Sequence, residues 1–106
     1  MSNGILELNE NNFDTSISQG VTLVDFWAPW CGPCRIQGPI FEGAAKMIGT
    51  KARFAKLNVD DAAGPAMSYG IQGIPTIIVF KDGKEVKRFI GVQRETELIK
   101  TVESLA

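Results

Sequence analysis

The run Val21-Thr22-Leu23-Val24-Asp25-Phe26-Trp27-Ala28 constrains this chain more than any other stretch. It is nearly continuous in apolar residues, with no wet face for a one-sided strand to present. Such a run reads as a central strand covered on both faces. A strand of that kind needs helices packed on each side of its sheet, which is a layered α/β architecture. Directly after it comes Cys31-Gly32-Pro33-Cys34, and a helical pattern opens at Cys34. A pair of thiols therefore sits at a strand-to-helix junction.

The remaining elements are read from periodicity and punctuation. Ile5-Leu6-Glu7-Leu8 is a short strand candidate. Asn9 offers a helix cap, followed by Phe13 and Ile17 at helical spacing and a stop at Gly20. The helix from Cys34 to about Gly49 places Ile36, Ile40, Ala44, Met47 and Ile48 on one face. Pro39 lies inside it and predicts a kink, because proline lacks the amide donor and clashes with the preceding turn. Arg53 to Val59 reads as a strand, and Ala62 to Tyr69 as a short helix interrupted or started at Pro65. Thr76 to Phe80 is β-branched and aromatic, hence a strand. Lys81-Asp82-Gly83-Lys84 is a hairpin turn, and Glu85 to Ile90 pairs back antiparallel. Leu98, Ile99, Val102 and Leu105 mark a closing amphipathic helix. The pattern predicts one domain over residues 1–106: a central mixed sheet of about five strands flanked by about four helices.

Cys31 and Cys34 are the only cysteines among 106 residues, and there is no histidine. A structural disulfide closing so small a loop would restrict the unfolded chain little. A structural zinc site needs four ligands, usually Cys or His, which one such chain lacks. No metal is expected. The dithiol reads as a redox centre. Without histidine, Cys-His and Ser-His hydrolysis are excluded, and proton transfer falls to Asp, Glu, Lys, Cys or water.

Composition removes other classes. The net charge of −1 argues against nucleic acid as a partner. No Lys or Arg precedes Arg35, while Glu7, Glu10, Asp14 and Asp25 do, which describes a mildly acidic face. No apolar run approaches the ~18 residues of a membrane span. The N-terminus lacks the basic start and apolar core of a signal peptide, so a cytoplasmic location is expected.

Cys31 precedes the helix, where unpaired amides and the positive dipole end stabilise a thiolate; it is the expected attacking thiol. Cys34, one turn in and expected to be less exposed, is the resolving thiol. Asp25 interrupts a run otherwise buried on both faces. Burial strips a carboxylate of hydration and raises its pKa, which suits a general acid/base serving a thiol. The alternative is a solvated Asp25 at a strand end. Trp27 is expected in the core, and Trp30 beside the thiols; a structural role for both stays open.

Several segments together carry a resemblance to a known family. These are Asp25 through Cys34, Pro39, Lys56-Leu57-Asn58-Val59-Asp60, Tyr69 through Thr76, Phe80-Lys81-Asp82-Gly83 and Gly91. The chain resembles the thioredoxin family over essentially its whole length. Gln37-Gly38 is a looser match, since glycine weakens a helix. The resemblance implies a thioredoxin fold and a cytosolic protein-disulfide reductase, acting as a monomer. It needs no cofactor beyond the Cys31–Cys34 pair. Its partners are disulfide-containing proteins and an NADPH-dependent thioredoxin reductase, with no role for nucleic acid or membrane.

Residue by residue, the resemblance places Lys56 beside Asp25, tuning it, while Gly32 and Pro33 set the redox poise of the dithiol. It makes Ile74-Pro75 a cis bond opposite the dithiol, with Ile74 offering backbone hydrogen bonds to an extended substrate. Trp30, Val59, Gly73, Ile74, Pro75, Gly91 and Val92 would then complete an apolar docking patch. Two rivals remain. An oxidase or isomerase of an oxidising compartment would favour a more polar or basic spacer dipeptide and no buried Asp. A non-catalytic assembly subunit would use the same fold without its thiols, since fold does not dictate function.

Overall fold

β2 (Val21–Trp27) lies at the centre of the molecule, bonded on both edges. The computed structural model describes residues 4–105. Around β2 the elements follow in the order β1 (Leu6–Leu8), α1 (Phe13–Ile17), β2, α2 (Gly32–Ile48), β3 (Arg53–Asn58), α3 (Ala63–Ser68), β4 (Thr76–Lys81), β5 (Lys84–Ile90) and α4 (Glu95–Leu105), with one 3₁₀ turn at Gly49–Lys51. The strands form one mixed sheet in the order β1-β3-β2-β4-β5. β3 runs parallel to both β1 and β2, whereas β4 runs antiparallel to β2 and β5. The expected class, strand count and helix count are all found.

Side-chain alternation along the strands divides the core in two. Leu23, Ile77 and Val79 face α2 and α4, packing with Phe41, Ala44, Ile48, Leu98 and Val102. Val24, Phe26, Ala55, Leu57, Ile78 and Phe80 face the opposite layer, with Phe13, Ile17 and Ala66. The second layer is aromatic: Phe13 meets Phe80 edge-on at 5.8 Å between ring centroids, and Tyr69 meets Phe80 at 5.2 Å. The hairpin forms at Asp82-Gly83, both at positive φ (50° and 85°), as that dipeptide favours.

Three local expectations are corrected. The first helix begins at Phe13, not after Asn9, because the Asn9 and Asn12 side chains close a turn of their own. Asn9 Oδ1 accepts from the Asn11 and Asn12 amides, and Asn12 Oδ1 accepts from the Asn9 amide. α2 begins at Gly32 rather than Cys34, with Pro39 inside it. Its buried stripe is Cys34, Gln37, Phe41, Ala44 and Ile48, while Ile36 and Met47 are 60 % and 70 % exposed. The stripe holds a polar residue that apolar counting passes over. Among the described residues no helix is long and apolar enough to cross a membrane.

Candidate active site

The site begins where β2 gives way to α2. Cys31 is the N-cap residue in extended conformation, and its Sγ accepts a hydrogen bond from the Cys34 amide at 3.2 Å. Pro33 stands in the first turn, where a missing amide leaves no helical bond unmade. The geometry joins Cys31 and Cys34 as a disulfide with Cα atoms 5.3 Å apart. The expected difference in exposure between them is absent: they are 4 % and 5 % exposed. Gly32 and Pro33 carry the exposed part of the turn. The cysteines differ in surroundings instead. Cys31 Sγ faces the Ile74 carbonyl oxygen at 3.7 Å, and Cys34 lines a cleft with Asp25.

That cleft, about 340 Å³, is lined by Asp25, Trp27, Cys34, Arg35, Phe41 and Lys56 among others. Alternation in β2 turns Asp25 toward α2, on the side of Leu23. The parallel register pairs Asp25 with Lys56 on β3, so both side chains stand on the same face of the sheet. Asp25 is only 4 % exposed, and its Oδ1 has no hydrogen-bond partner among the described residues. Burial pushes its pKa up to about 7, and the Lys56 charge partly opposes the rise. Lys56 divides its charge among several neighbours. Its Nζ lies 3.8 Å from a Glu7 carboxylate oxygen and 5.2 Å from the Trp27 ring centroid. Trp27 is half-buried, and its Nε1 has no acceptor among the described residues.

Above the dithiol lies the rim. Trp30 is 67 % exposed, and its Nε1 donates to Asp60 Oδ2 at 3.0 Å. The Ile74–Pro75 bond is cis. Ile74 packs with Val59 and Trp27 against Ala28 and the two cysteines. The Val59 amide donates to the Trp27 carbonyl at 2.9 Å, which ties the end of β3 to the end of β2. Gly91, at φ 90°, donates its amide to the Pro75 carbonyl at 2.9 Å. Gly73 is exposed, and Val92 is 41 % exposed. The sequence-predicted residues thus converge on the end of the sheet where β2 finishes and β4 starts. Two residues went unnoticed in sequence. Ile90 is 70 % exposed and borders Gly73, but strand propensity alone assigns it to β5. Gln37 is fully buried and bonded to the loop that carries Val92.

This arrangement supports thiol–disulfide exchange: two sulfurs within bonding reach, amide donors at a helix start, and a buried carboxylate beside one sulfur. Among the described residues no group of three or more His, Cys, Asp or Glu side chains could hold a metal. Comparison with known proteins agrees with the chemistry. The thioredoxin family model matches residues 4–104. Thioredoxin from Staphylococcus saprophyticus is 42 % identical over 99 residues, which are 93 % of this chain and 95 % of that protein. Thioredoxin from Staphylococcus aureus is 40 % identical with the same coverage. A mutant thioredoxin from Halobacterium salinarum superposes with a TM-score of 0.88 at 36 % identity, over 98 % of this chain and 92 % of that one. Fold, dithiol and relatives together make this chain a member of the thioredoxin family, a thiol–disulfide oxidoreductase that reduces protein disulfides.

Proposed function

We propose that the work of disulfide reduction is divided as follows. The Cys31 thiolate attacks one sulfur of a substrate disulfide, forming a mixed disulfide and expelling the other substrate sulfur as thiolate, which takes up a proton. The Cys34 thiol gives its proton to the Asp25 carboxylate across the shared cleft and attacks Cys31 Sγ. The mixed disulfide breaks, the second substrate thiol leaves, and the Cys31–Cys34 disulfide remains. Two electrons have passed to the substrate. The observation that carries this order is the Cys34 amide donating to Cys31 Sγ at the start of α2, a contact that stabilises negative charge on that sulfur.

Lys56 tunes Asp25, and Gly32 and Pro33 set the turn that holds both sulfurs. Trp30, Val59, Gly73, Ile74, Pro75, Gly91 and Val92 receive an extended substrate segment, with Ile74 as its backbone partner. The chain works as a cytoplasmic monomer, one domain over residues 1–106, with no cofactor other than its dithiol. A thioredoxin reductase recharges it from NADPH. The test is reduction of insulin disulfides with dithiothreitol, then with NADPH and a thioredoxin reductase in its place. Activity in both assays is expected; activity retained when both cysteines are replaced by Ser would overturn the reading in favour of a scaffold.

A further inference from the structure

We infer that Gln37 is a positioning residue: it holds the Gly91–Gln93 loop against the helix that carries the dithiol, and so sets where Val92 meets a protein substrate. The inference rests on the docking role proposed for that rim. Gln37 lies one turn beyond Cys34 on α2 and is 0 % exposed. A buried amide needs partners at both of its ends. One residue supplies both. Gln37 Nε2 donates to the Gln93 carbonyl at 3.2 Å, and the Gln93 amide donates to Gln37 Oε1 at 2.7 Å. The orientation of the side-chain amide follows, because the reverse would set donor against donor.

The pairing imitates a strand ladder with a side chain in place of the second strand. The loop has need of it. Residues 91–94 lie between β5 and α4 and belong to neither. Gly91 is held on its other side by its amide bond to the Pro75 carbonyl, and Gln93 Nε2 donates back to the Gly91 carbonyl at 3.4 Å. Val92 therefore stands between two anchored residues. Bonds link α2, the 91–93 loop and the Ile74-Pro75 loop, which are three of the segments around the sulfurs. An apolar side chain at position 37 would fill the space but leave the Gln93 amide and carbonyl without these partners, and the loop would shift to find others.

The test compares wild type with Gln37→Met and Gln37→Leu on two substrates: insulin, and the small aromatic disulfide 5,5′-dithiobis(2-nitrobenzoate), which needs no docking loop. The expected result is a KM for insulin raised about five- to tenfold. The kcat for insulin and the rate with the small disulfide stay within twofold. An equal loss on both substrates, or no change on either, overturns the inference. Amide exchange of Gln93 in the wild-type protein supplies a readout that does not depend on any variant folding. Protection is expected, and exchange at the rate of an open loop overturns the inference. Val92→Ser separates the two levels of argument. If it raises the insulin KM and the Gln37 variants do not, the inference alone falls; if it has no effect, the docking role falls and the inference with it.

Discussion

Asp25 links the stability of the molecule to its chemistry through one proton. Its pKa in the folded chain is about 7, against 3.8 for the ordinary side chain. The folded state therefore binds a proton more tightly than the unfolded state between those values. The contribution of this one group to stability is highest below pH ~4, falls as pH rises toward 7, and is flat above it. Three units at about 1.4 kcal/mol each set an upper limit of about 4 kcal/mol. Asp25→Ala should raise the denaturant midpoint at pH 7, and the gain should vanish as the pH approaches 4. The same variant should slow insulin reduction, because Cys34 loses the proton acceptor proposed for it. A variant that is less stable at pH 7, or equally fast, would show Asp25 to be a structural residue. The cysteines give a second outcome. Cys34→Ser should accumulate mixed disulfides with substrate proteins on Cys31, and Cys31→Ser should accumulate none; non-reducing gels read both. Asp25 was legible in sequence because a charge in an apolar strand has few ways to be accommodated. Gln37 was not, because its partner is backbone 56 positions away and no side-chain pattern marks it.

At the scale of elements, α2 is the one whose orientation differs from its sequence pattern. Ile36, Ile40, Ala44, Met47 and Ile48 are apolar at helical spacing and suggest one buried face; Ala44 and Ile48 are buried and Ile40 packs partly against the core, while Ile36 and Met47 are exposed. The stripe from Cys34 through Gln37, Phe41 and Ala44 to Ile48 is the one that meets the sheet. The buried face is rotated from the expected one toward Phe41, which packs into the core in place of Ile36 and Met47. Phe41 is 2 % exposed, and its ring lies 4.9 Å from that of Phe54 on β3. Phe41→Ala should destabilise the fold by about 3–5 kcal/mol, since it removes a ring from a close-packed core. Met47→Gln should change it by less than about 0.5 kcal/mol, as exposed positions do. Urea melts of the two variants would check this, and similar losses would return Met47 to the buried face. The strands were easier to read. β2 and β4 are short, dense in β-branched and aromatic residues, and bounded by Gly, Pro or Asp-Gly, so little else could form there. Strand bounds shifted by at most a single residue, and helix starts shifted further where side chains cap the chain locally, at Asn9–Asn12 and at Cys31.

For the whole molecule, the antiparallel register of β2 with β4 has a consequence for traffic. Phe26 stands opposite Thr76, so the loop leaving β2 and the loop entering β4 emerge at the same end. Every group proposed to handle a disulfide is on that one end of a body measuring 30 × 27 × 25 Å. On the proposed function, a substrate protein and a thioredoxin reductase both dock on that same end. They must take turns. The proposed function thus makes the chain a shuttle with a single berth, loaded at one visit and emptied at the next, without bridging its two clients. Steady-state rates measured against insulin at several concentrations of reductase and one constant concentration of carrier should give parallel double-reciprocal lines, the mark of a relay without a ternary complex. Carrier in its Cys31–Cys34 disulfide form, docked on a substrate protein that lacks a disulfide, should be recharged more slowly by the reductase than the free carrier. Intersecting lines would mean that a second face of the protein can hold a partner while the first is occupied.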